Sequence, residues 1–129
     1  MSKNTFYVLV CGGRNYKDKD RLTKVMDKFK EDIAQGSELC VVHGAAKGAD
    51  SLAGEWALMN ECITAEFEAD WDTHGRSAGP IRNRKMLDFL LNNKSAGSDI
   101  AVVAFPGGKG TDNMCDIAKK ANVTVYRML

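Results

Sequence analysis

The sequence predicts an α/β fold of the Rossmann-like, three-layer type, with a mainly parallel five-stranded sheet and helices on both faces. Two observations carry this. Short β-branched and aromatic runs alternate with helical apolar stripes of ten or more residues along nearly the whole chain. The strand-like runs are apolar at almost every position, as strands buried on both faces are. Such alternation implies parallel strands joined by right-handed crossovers. A chain of 129 residues suits one domain, read here as residues 1–129.

Thr5 to Cys11 (TFYVLVC) forms the first strand and stops at Gly12-Gly13. Asp20 to Gln35 carries Leu22, Val25, Met26, Phe29 and Ile33 at helical spacing, with Gly36 as the C-terminal stop. Glu38 to His43 is the second strand, ending at Gly44. From Ala49 to Asn60, the residues Leu52, Ala53, Trp56 and Ala57 make the stripe of a second helix. Ile63 to Phe67 is a weaker third strand, and the following EADWDTHGRSAG reads as a long polar loop. Pro80 suits the first turn of a third helix, continued by Ile81, Met86, Leu87, Leu90 and Leu91 to about Asn92. A turn from Asn93 to Ser98, a strand from Ile100 to Phe105, a helix from Thr111 to Ala121 and a strand from Val123 to Tyr126 complete the series.

Composition narrows the function classes. Eighteen basic against seventeen acidic residues leave a net charge of +1, so no overall field draws the chain to nucleic acid or membrane. The apolar runs are far shorter than the ~20 residues that cross a bilayer, and no basic stretch precedes an apolar block at the N-terminus. A cytoplasmic location is expected. Cys11, Cys40, Cys62 and Cys115 are scattered, which points to reduced core thiols and indicates neither a zinc site nor a redox pair. Charge is uneven locally: Asp50 to Asp72 holds seven carboxylates and no base, whereas Arg76 to Lys85 holds four bases and no acid.

Ligands of open α/β sheets bind beyond the carboxyl ends of the strands. Three turns there are glycine-rich: CGGR (Gly12, Gly13, Arg14), HGAAKGAD (Gly44, Ala45, Lys47, Gly48, Asp50) and PGGKGTDN (Pro106, Gly107, Gly108, Gly110, Thr111). Glycine lets backbone approach a ligand, and the free amides at a helix start attract phosphate. Glycine can equally serve tight geometry alone. No dinucleotide fingerprint or Walker loop is present. Thr111 and Asp112 suit the N-cap of the fourth helix, and Thr111 also suits a phosphate. Arg14, Arg82 and Arg84 follow turns on the same edge, Arg82-Asn83 opening a helix whose dipole a cation opposes unless an anion binds. Trp71 offers a stacking surface for a base, or a plug for the core edge. Asp50 and Asp70 suit ribose hydroxyls, although Asp50 also suits a helix cap. His43 and His74 read as structural, and no metal cluster or cofactor is indicated.

Taken together, VCGGRNY, VVHGAAKGADSLAGEWA, ADWDTHGRSAGPIRN and VVAFPGGKGT resemble the YspA-like branch of the SLOG superfamily, named for the Smf/DprA and LOG proteins. The resemblance implies a Rossmannoid domain for nucleotides or nucleotide-derived ligands, with bacterial and phage members and roles in nucleotide signalling. It also brings in LOG enzymes, which release the base from a nucleoside 5′-monophosphate and carry PGGxGTxxE after an Arg-Lys pair. Pro106, Gly107, Gly108, Gly110 and Thr111 match that motif and Arg84-Lys85 fits the pair, but Met114 stands at the glutamate position.

Two functions are therefore in play. One is a binding module that senses or sequesters a nucleotide or ADP-ribose-like small molecule. The other is a LOG-like N-glycosidic or related hydrolase, with Asp70, Asp50 or Asp112 supplying the missing carboxylate. Single-stranded DNA binding, as in the Smf/DprA branch, is disfavoured by the charge balance. LOG relatives pair through helices, and Met86 to Leu91 offers an apolar face for a homodimer, yet the same residues suffice to cover the sheet.

Overall fold

The computed structural model describes residues 4–128. Five strands, β1 (Thr5–Cys11), β2 (Glu38–His43), β3 (Ile63–Glu66), β4 (Asp99–Ala104) and β5 (Val125–Arg127), form one sheet in the order β3-β2-β1-β4-β5. Every neighbouring pair is parallel. The chain runs outward from β1 to β3 and then returns across the sheet to β4. The order thus reverses between β1 and β4, and a crevice opens beyond their carboxyl ends.

Both faces are covered, so the central residues of β1, β2 and β4 are apolar on either side. On one face, Phe6, Val8, Val10, Val41 and Val103 pack against α1 (Lys19–Lys28) and α2 (Ala49–Met59) through Leu22, Met26, Ala53 and Trp56. On the other, Leu9, Val42, Val102 and Ala104 pack against α4 (Ala78–Ser95) and α5 (Lys109–Lys120) through Met86, Leu87, Leu90, Met114 and Ala118. This is the three-layer arrangement that the alternating pattern predicts.

Three local expectations are corrected. The first helix does not run evenly to Gln35. From Phe29 to Ile33 it widens into a π-turn, the Ala34 amide donating to Phe29 O at 2.9 Å. The extra residue in that turn rotates the end of the helix, so Ala34 is buried and Ile33, expected in the stripe, is 41% exposed. The polar segment after β3 is not a loop: α3 (Trp71–His74), capped by Asp70, leads through a 3-10 turn at Gly75–Ser77 into α4. Local side-chain capping outweighed the polar, glycine-rich composition there. Finally, α5 begins at Lys109 after Gly108, which puts Thr111 inside its first turn and not at the N-cap.

No helix among the described residues is long and apolar enough to cross a membrane.

Candidate functional site

The three glycine-rich turns lock together at the β1/β4 crevice. Gly13 donates its amide to Pro106 O at 2.9 Å and accepts the amide of Ala49 at 3.2 Å, tying the first turn to both others. Gly48 has a φ of +79°, and a Cβ there would lie 2.1 Å from Gly13 O. A Cβ at Gly107 would lie 2.2 Å from Thr111 Oγ1 and 2.6 Å from the amide of Gly13. Gly48 and Gly107 therefore serve turn-to-turn packing, and neither, nor Pro106, lines the cavity.

The cavity that these turns frame is about 620 Å³, within the range of small-molecule sites. Its walls include Gly12, Gly13 and Arg14 from the first turn, Ala46 and Asp50 from the second, and Gly108, Gly110 and Thr111 from the third. α4 adds Arg82 and Asn83, and α3 adds Trp71. An adjoining lobe of about 520 Å³ shares Arg14, Ala46, Trp71 and Arg82 and adds Gly44, Ala45 and Lys47.

The third turn leaves its backbone donors open. Gly108 to Thr111 open a twelve-residue helix, and their amides meet no acceptor among the described residues. The second turn differs. Asp50 Oδ2 accepts the amides of Gly44 at 3.0 Å and Ala46 at 3.4 Å, so the protein's own carboxylate occupies that bend. Asp50 is not the N-cap of α2; Gly48 is. Burial pushes the Asp50 carboxyl above its ordinary range, against the pull of the two amides, His43 and Arg82.

A polar strut joins the second and third turns. Arg82 Nη1 donates to Gly44 O at 2.8 Å and its Nε to Asn83 Oδ1 at 3.0 Å. Asn83 Nδ2 in turn donates to Gly110 O at 3.2 Å and to Asn113 Oδ1 at 2.9 Å. Burial lowers the pKa of the Arg82 guanidinium, which Asp50 and the pull of a bound anion would counter. At the rim, the Arg14 guanidinium lies 5.1 Å from the centre of the Trp71 ring, and Trp71 is 47% exposed.

Other candidates lie apart. Asp70 caps α3 by accepting the Thr73 amide at 3.1 Å, and the Thr73 hydroxyl together with that amide holds its carboxyl below the ordinary range. Asp112 is ion-paired to Arg127 at the end of β5. Neither lines the cavity, and nor does Arg84, which is exposed on α4. Met114, at the position of the LOG glutamate, is wholly buried in the core. His43 accepts the Ala45 amide on Nδ1 at 3.0 Å, bracing the second turn in the role read for it.

Sequence reasoning missed Arg76, Asn113 and Lys109, which line the cavity. Lys109 lies inside the PGGKG motif and was readable there. Asn113 closes the PGGKGTDN segment and Arg76 opens the acid-free basic stretch, but neither was singled out, since a helix turn and a bend bring them in. It also missed that Cys11 and Cys115 are neighbours: the Cys115 thiol beside it, with burial, pushes the Cys11 thiol up, while that of Cys115 is lowered to about 7. All four cysteines are free.

Residues 6–74 match the family described as YspA, cpYpsA-related SLOG. The Gene 61 protein of Mycobacterium phage D29 is 37% identical over 126 residues, covering 92% of each chain. Among solved structures, DNA processing protein A (DprA) from Streptococcus pneumoniae superposes with a TM-score of 0.52 at 19% identity, over 94% of this chain. This chain spans 58% of that DprA chain, and the likeness is one of fold.

Proposed function

The chain belongs to the YspA- and cpYpsA-related SLOG family, and from that premise we propose that it is a cytoplasmic binding module for a phosphorylated nucleotide or nucleotide derivative, acting as a sensor or a sequestering protein. The observation that carries the reading is the coincidence, in one cavity, of open amides at the start of α5 with Arg14, Arg82, Arg76 and Lys109. Fixed N–H dipoles at a helix start and guanidinium forks are the groups that recognise phosphate oxygens. Trp71 at the rim supplies a flat surface for a base.

Binding without turnover is favoured over LOG-like hydrolysis by the carboxylates. Cleavage of an N-glycosidic bond needs an acid or carboxylate beside the anomeric carbon. Asp70 and Asp112 are engaged outside the cavity, Asp50 is fixed in place by two backbone amides on one of its oxygens, and Met114 replaces the glutamate of that motif. The test is titration calorimetry with AMP, ADP, ATP and ADP-ribose, and then mass analysis of the recovered ligand. Saturable binding with the ligand returned intact is expected. Release of base or phosphate would establish an enzyme, and absence of binding across the set would remove the nucleotide reading.

A further inference from the structure

The bend after β2 has the form of an anion-binding nest, with amides turned inward, but Asp50 fills it. A ligand phosphate entering that bend would meet a fixed carboxylate. Arg82 reinforces the closure by donating to the carbonyl of the same Gly44. The open amides of Gly108 to Thr111 are therefore where a phosphate can settle, and the second turn must contact another part of the ligand.

Asp50 is suited to that contact. Its Oδ2 is taken by the two amides, whereas Oδ1 has no partner among the described residues and is not sealed in the core. The side chain borders the cavity and the residue is 6% exposed, so it forms part of the floor. It is also the one carboxylate among the described lining residues of that cavity, which otherwise include the cations Arg14, Arg76, Arg82 and Lys109. An ionised carboxylate only accepts hydrogen bonds, so a ligand can satisfy Oδ1 only by donating one.

The groups that border the cavity match the parts of a 5′-nucleotide: open amides at α5 for a phosphate, the Trp71 ring with Arg14 beside it for a base, and Asp50 as the one carboxylate to accept from the hydroxyls of the sugar. We infer that Asp50 reads the ribose hydroxyls of the ligand through Oδ1, making the site selective for ribonucleotides over 2′-deoxyribonucleotides. This rests on the nucleotide-binding reading above.

The measurement is calorimetric affinity of the wild-type protein for ATP and dATP, and for AMP and dAMP. A buried charged acceptor left without its hydroxyl costs about 10- to 100-fold in affinity, so the ribonucleotides should bind at least tenfold more tightly. Equal affinity for the two sugars overturns this inference while leaving nucleotide binding intact; failure of all four to bind overturns both. Asp50→Ala removes every side-chain partner for the hydroxyls, and the ratio should fall below about threefold. An unchanged ratio in a folded Asp50→Ala variant assigns the discrimination elsewhere and overturns the role of Asp50. The wild-type comparison decides the sugar preference even if that variant does not fold.

Discussion

Asn83 lies at the junction of α4 and the turn after β4, 4% exposed, and both of its polar side-chain atoms are used. An amide side chain can accept from a guanidinium and donate to two acceptors at once, which no apolar residue and no carboxylate can do. Asn83→Ala would leave Gly110 O and Asn113 without that donor and free Arg82 to swing from Gly44. We expect a stability loss of about 1–3 kcal/mol in urea unfolding, because buried partners are left unpaired. Nucleotide affinity should fall as well, since the α5 turn and Arg82 lose their common strut. Normal affinity in a destabilised Asn83→Ala variant would confine the residue to a folding role. Arg82-Asn83 was readable as a pair at a helix start. That the arginine bonds a carbonyl 38 positions away was not.

At the scale of the element, the glycines of the three turns divide into two kinds that the sequence alone does not separate. Gly48 has no room for a Cβ and a φ that L-residues rarely take, while a Cβ at Gly110, inside the first turn of α5, meets nothing within 4 Å. Gly48→Ala should therefore cost at least about 2 kcal/mol through strain and backbone clash. Gly110→Ala should raise stability by about 0.4–1 kcal/mol, as glycine-to-alanine changes do in compatible helical positions. Because Gly110 lines the cavity, the same change should weaken nucleotide binding. Paired urea melts and calorimetric titrations check both, and a destabilised Gly110→Ala would contradict the division. The π-turn at Phe29–Ile33 and the short helix α3 show the same limit of local reading. Each rests on a few local hydrogen bonds, such as Ala34 N to Phe29 O or Thr73 N to Asp70 Oδ1, that compete closely with regular helix or open loop.

At the scale of the molecule, ligand binding to the folded state alone must raise stability by mass action. A nucleotide at about 100 times its dissociation constant adds about 2.7 kcal/mol, which for a chain of this size is a rise in Tm of about 10 °C. Differential scanning with and without the tightest ribonucleotide measures it, and a shift absent under saturating conditions would contradict binding to the native state. The sequence by itself determined the alternation of strands and helices, and with it a parallel three-layer sheet whose crevice lies beyond the strand ends. Those features arise from short-range periodicity and turn chemistry, which are written locally. Only the tertiary structure decided which glycine-rich turn stays open to an anion. Asp50 closes one by reaching back six residues to Gly44, while Asp112 is drawn from the other by Arg127. Where a carboxylate points depends on partners brought together by the sheet, and no spacing along the chain encodes that.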